Sequence, residues 1–114
     1  MLRWPMFLLL LISGCSKGPE ADLSHISAAR SFAAEWALVN EEAQKGHLTG
    51  NYVRTMRQAV REQLKSDLQS LTLPQSSYAQ EIEALLREPD GASPSELRAH
   101  ADKLKQIEVR LESA

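Results

Sequence analysis

An all-α fold, a small antiparallel bundle of three longer helices and one short one, is what this 114-residue sequence predicts. Three observations predict it. Apolar residues recur every three or four positions in four separate stretches, and no stretch sustains an alternation of apolar and polar residues. Glycine, proline and hydroxyl residues stand between the stretches, where helices stop and start. The connections are short, which favours antiparallel neighbours in up-and-down order.

The first helix is expected over residues 23–45, with Ile26, Ala29, Phe32, Ala33, Trp36, Val39 and Ala43 on one face and Gly46 as its stop. The second is expected over 49–71. Thr49 is its N-cap, Leu48 and Val53 are placed as a hydrophobic staple, and Val53, Met56, Val60, Leu64 and Leu71 point inward. Pro74 breaks the pattern. Ser77 and Gln80 then read as a capping box opening a short third helix through residue 87, with Tyr78, Ile82 and Leu85 inward and the Tyr78 hydroxyl at the rim. Pro89-Asp90-Gly91 forms a turn. The fourth helix carries the strongest local signal, with Ser93 as N-cap, Pro94 at the first helical position and Glu96 three residues after the cap. It is expected to continue to about residue 112 on Leu97, Ala101, Leu104, Ile107 and Leu111. The spacing Leu97-Leu104-Leu111 admits intramolecular packing or a contact with a second copy of the chain, and two heptads are too few to specify a coiled coil by themselves.

Ahead of the bundle, residues 1–14 have the layout of an export signal. Arg3 supplies the positive start, and an apolar run of roughly nine residues follows from Trp4 to Ile12. A membrane span needs about 20 apolar residues, so this run is too short to cross a bilayer. The run closes on Leu11-Ile12-Ser13-Gly14-Cys15, which resembles the lipobox of bacterial lipoprotein precursors. The resemblance implies diacylglyceryl transfer to the Cys15 thiol, cleavage before Cys15 and acylation of the new terminus. Two or more acyl chains on one residue make a stable membrane anchor, whereas one binds only marginally. Ser16 stands where the Gram-negative sorting pattern puts an inner-membrane aspartate, so the resemblance implies the outer membrane, with the domain facing the periplasm.

The expected organisation is therefore a signal peptide over 1–14, the lipidated Cys15 with a polar tether over 15–22, and a helical bundle domain over 23–114. Residues 16–22 would span at most about 25 Å. Cleavage leaves 100 residues, one domain's worth, and removes Arg3, so the formal charge moves from −2 to −3. Mild acidity gives no bulk attraction to nucleic acid. Cys15 is the single cysteine, so lipidation leaves no disulfide and no thiol for catalysis.

The distinctive functional feature is a basic ridge on the second helix, formed by Arg54, Arg57, Arg61 and Lys65. At helical spacing the four fall within about 80° of arc, and the ridge is expected nearly opposite the Val53/Met56/Val60 face. Arginine forks suit carboxylates and phosphates. The alternative is a solvated face pairing with Glu35, Glu41 or Glu42 across the hairpin. Trp36 with Phe32 could line a ligand pocket, although large aromatics at helical spacing are ordinarily core anchors. Asp67 falls on the apolar side of the second helix, where a carboxylate needs a partner such as an arginine or a helix terminus; a boundary position with solvent access is the plainer reading.

His25, His47 and His100 have no metal-binding spacing. Glu96 and His100, one turn apart, are two potential ligands where zinc needs three or four. No phosphate-binding glycine loop or nucleophile–histidine–acid spacing is present, and no cofactor is expected beyond the lipid on Cys15. The expected function is that of a lipid-anchored periplasmic accessory protein that binds another envelope protein. Binding of anionic lipid or envelope glycan through the ridge is the alternative, and a small enzyme or metal protein the third reading. Homo-oligomerisation through the fourth helix is compatible with each.

Overall fold

The computed structural model describes residues 18–113. The expected signal over 1–14, the expected lipid-attachment residue Cys15 and the first residues of the expected tether lie outside the described residues. Four helices make up the fold: α1 (Pro19–Gln44), α2 (Gly50–Gln69), α3 (Ser77–Leu86) and α4 (Pro94–Ser113). They form the bundle of three long helices and one short one that the pattern predicts.

Helix α1 starts four residues before the expected boundary. Pro19 occupies its first turn with Glu20 and Asp22, which favour the positive end of the helix dipole, and Gly18 precedes it at φ 95. The stretch 19–22 is therefore helix, and the expected tether over 15–22 is correspondingly shorter. Asp22 is fully buried. Its carboxylate accepts from the Thr72 amide at 2.8 Å, the Leu73 amide at 3.3 Å and the Tyr78 hydroxyl at 2.6 Å. The Thr72 hydroxyl lies 3.1 Å from the same carboxylate, and its oxygen accepts from the Gly18 amide at 3.0 Å. These bonds fasten the start of α1 to the loop between α2 and α3. The Tyr78 hydroxyl is thus an interior donor, not the rim group expected from sequence.

The remaining boundaries follow local chemistry. Gly46, at φ 75, ends α1: the His47 amide reaches the Glu42 carbonyl and the Gly46 amide the Ala43 carbonyl, both at 3.0 Å. Only a residue that tolerates the left-handed region closes a helix in this way. Thr49 caps α2 by accepting from the Tyr52 amide at 3.2 Å. Ser93 caps α4 through the Glu96 amide at 3.2 Å, with Pro94 as its first residue. The cap of α3 is Ser76, one residue before the expected Ser77. Its extended backbone lets the hydroxyl accept from the Ala79 amide at 3.2 Å.

Two ion pairs fix the direction of α4 against α1. Arg30 Nε lies 2.9 Å from Glu108 and Arg98 lies 2.6 Å from Glu41, so numbers rise along one helix as they fall along the other. Helix α1 touches the other three helices, while α2 and α4 do not meet among the described residues; α3 contacts both. The core between them contains Trp36, Ile26, Leu64, Ile82, Leu85, Leu97 and Leu104, all fully buried. Ala29, Ala33 and Ala37, also buried, carry small side chains along α1. Phe32 and Leu111 are half-buried against this core. The Leu97-Leu104-Leu111 spacing is therefore used inside the chain. Among the described residues no helix is long and apolar enough to cross a membrane.

Candidate binding groove

The basic ridge does not stand opposite the apolar face of α2. Four residues turn an α-helix through one full turn plus about 40°, so Arg57 and Arg61, four and eight positions after Val53, lie on its flank. That offset places Arg57 and Arg61 at the seam with α1 and with the loop after α3, where both are half-buried. Glu35, Glu41 and Glu42 do not pair with the ridge. Glu41 pairs with Arg98 and Lys45, and Glu42 with Lys45 and His47.

Arg61 is tied into the fold. Its Nε donates to Asp90 Oδ1 at 2.7 Å, and its terminal nitrogens donate to the Leu86 carbonyl at 2.9 Å and the Glu88 carbonyl at 2.5 Å. Carbonyls at the end of a helix lack partners in the next turn, and a cation there also meets the negative end of the dipole. The guanidinium lies 4.6 Å from the centre of the Trp36 ring, within cation–π range. Trp36, fully buried, donates its indole N–H to the Asp90 carbonyl at 3.0 Å. It is a core anchor, and neither it nor Phe32 lines the groove that holds the cations.

Arg57 is held at one point and open at the other. Its Nε donates to Asn40 Oδ1 at 2.9 Å. Asn40 is 1 % exposed and cannot turn away, because its amide donates to the Asp90 carbonyl at 3.0 Å and the Ala92 carbonyl at 2.8 Å. The terminal nitrogens of Arg57 make no hydrogen bond among the described residues. Arg54, exposed, donates to Asn51 on its own helix at 3.0 Å, and Lys65, also exposed, has no partner among the described residues.

All four cations line one open groove of about 780 Å³. Ala43, Leu48 and Val53 give it an apolar part; Glu62 and Asp90 are its two carboxylates. Four positive groups against two negative ones, one of these already paired with Arg61, leave the groove cationic. Sequence reading finds the four cations. It misses Asn40 and Asp90, which organise them. A signal for Asn40 is present: it continues the buried Ala33, Trp36 and Ala37 stripe as a polar residue at a core position, and such a residue needs partners.

Each of the three histidines has a carboxylate partner outside the groove's cations. His100 sits between Glu81 and Glu88, with Nδ1 against Glu81 and Nε2 2.8 Å from Glu88. Burial opposes its charge, but the two flanking carboxylates outweigh burial and hold the imidazole above its ordinary 6.5. Glu96, the other residue of the sequence pair, is exposed and takes no part. His25 lies 3.4 Å from Asp67, which is buried rather than at an open boundary. Burial raises the Asp67 carboxyl above its ordinary value despite His25, and its Oδ2 has no hydrogen-bond partner among the described residues. Among the described residues no three or more His, Asp or Glu side chains gather as a metal site.

No family model matches the chain, and the searches of curated proteins and of solved structures give no match either.

Proposed function

We propose that the chain is a lipid-anchored accessory protein of the bacterial envelope that binds another envelope protein through the α2 groove. The observation that carries this reading is the convergence of Arg54, Arg57, Arg61 and Lys65 on one groove, with the fork of Arg57 left open. A rigid bundle with an open cationic groove has the form of a binding module. The anchor rests on the Leu11-to-Cys15 resemblance. With Gly18 bonded to Thr72, three peptide steps separate Cys15 from the bundle, at most about 11 Å.

The direction of the groove favours a protein over lipid headgroups. Thr72 follows the C-terminal end of α2, so the chain enters the bundle at that end. Arg57 and Arg54 lie 12 and 15 residues before Gln69, about 18 and 22 Å along the helix from it. Arg54 and Arg57 thus stand toward the end of α2 remote from the expected anchor.

Covalent capture of neighbours in intact cells tests the reading, with the full chain compared to Arg54→Glu plus Lys65→Glu. Both positions are exposed and, among the described residues, make no hydrogen bond or ion pair to another helix, so the fold is expected to stand. Loss of the captured partner is expected; equal capture removes the groove as the contact. Cys15→Ser is expected to abolish incorporation of a labelled fatty acid, and retained label would reject the anchor.

A further inference from the structure

We infer that the groove contains a preorganised carboxylate subsite at Arg57, flanked by Arg54 and Lys65, and that its occupant is an extended acidic segment of a protein partner. This rests on the reading of the groove as a binding surface and adds the chemistry of what it takes.

The subsite is built from the interior outward. Asn40, buried in α1, is locked by the Asp90 and Ala92 carbonyls, and its remaining oxygen holds Arg57 by Nε. A flexible arginine normally loses rotamer freedom when it binds an anion. Here the chain already fixes the guanidinium plane and leaves the terminal nitrogens for an incoming group. That geometry suits a planar carboxylate, which receives two parallel N–H bonds from one fork. Asp90 does not fill the place: its Oδ1 accepts from Arg61 Nε, and its carboxylate makes no bond to Arg57.

The spread of the other cations sets the shape of the occupant. Arg54 and Lys65 are eleven residues apart, about 16 Å along α2. A single compact anion would reach one of them at most. An extended peptide covers that distance in about five residues, and alternate side chains of such a peptide reach opposite sides. Carboxylates on one side meet the cations, while apolar side chains on the other meet Ala43, Leu48 and Val53.

The test uses the full-length chain in neutral detergent and a fluorescent peptide of six residues alternating Glu and Leu. Saturable binding is expected, weakened at least tenfold by Arg57→Gln and more than threefold by Arg54→Gln plus Lys65→Gln. The Gln-for-Glu peptide should bind at least tenfold more weakly than the Glu peptide. Inorganic phosphate at millimolar concentration should compete poorly, and phosphatidylglycerol vesicles should not displace the peptide. Helix content and melting of each variant establish that it is folded; if Arg57→Gln is not, the Arg54/Lys65 pair decides. Equal binding by the folded variants, or equal binding of the Gln peptide, overturns the inference, as does full displacement by phosphate or vesicles. Peptide binding that fails while cellular capture still depends on Arg54 and Lys65 refutes the acidic-segment inference alone. Capture that is indifferent to them refutes the groove itself.

Discussion

Two buried polar centres, Asp22 at the entry of the chain and Asn40 near the far end of α1, are organised alike and end differently. Each is a polar residue in the core stripe of α1 that gathers backbone groups about 50 residues away in sequence. Asp22 is closed: its donors are the Thr72 and Leu73 amides and the Tyr78 hydroxyl, all inside the chain. Asn40 is open: it holds two carbonyls with its amide and passes its last bond to Arg57, whose terminal nitrogens face the groove. A closed centre serves only the fold. An open one converts buried rigidity into a fixed donor at the surface, and this difference is why we propose the groove, not the entry end, as the binding region.

The largest effect should come from breaking the closed centre. Asp22→Ala leaves two amides and the Tyr78 hydroxyl without their acceptor, and about 3 kcal/mol of stability should be lost in urea unfolding. Burial opposes the Asp22 charge, but the hydrogen bonds together outweigh it and lower its carboxyl below 3.8. Its contribution is therefore fully present above 3.8 and lost as pH falls through the depressed folded value. Burial first, and then the bond to the Asp22 carboxylate, push the Tyr78 hydroxyl up to about 12. An Asp22→Ala protein as stable as the parent would erase the contrast between the two centres.

Arg61→Ala should cost less, about 2 kcal/mol, since it removes the donors for Leu86 and Glu88 and the cation over Trp36 while Asp90 remains solvated. Chemical unfolding measures it. Should the cost instead be near zero, Arg61 would not be tied into the fold and would join Arg54 and Lys65 as an outward cation of the groove.

The pH response of His100 sharpens the comparison further, because Glu88 joins it to the loop that carries Asp90. Its folded value is raised, so its contribution is fully present below 6.5 and is lost as pH rises through the elevated folded value. Melting of His100→Gln should therefore fall below the parent at pH 6 and converge with it at higher pH. A gap that stays constant with pH would mean that the imidazole acts by packing alone.

The smallest stability effect is expected for Arg54→Gln plus Lys65→Gln, within about 0.5 kcal/mol of the parent because both side chains are exposed and, among the described residues, neither bonds to another helix. A larger change would show that the outward cations also serve the fold.

What the sequence makes legible follows the range of the interaction. Gly46, Thr49, Ser93 and Pro94 act on amides and carbonyls within a few residues, so their roles can be read locally. Asp22 cannot be read in this way. Beside Gly18 and Pro19 it looks like tether, and only the docking of Thr72 and Tyr78 makes it interior. Ser76 and Ser77 both have a capping hydroxyl, and the backbone of the preceding loop selects Ser76. The four cations of the groove are visible as a helical arc. Their division into one bound, one half-held and two exposed groups is not visible, because Asp90 and Asn40 approach from other elements.

The side-chain Nε–H signals of Arg57 and Arg61, followed by NMR during titration of the full-length chain with the Glu-Leu peptide, test the central claim most directly. Arg57 should shift saturably, while Arg61 and the Thr72 amide of the closed centre stay in place. Movement of Arg61 or Thr72 with a silent Arg57 would contradict the assignment of the open centre as the binding region.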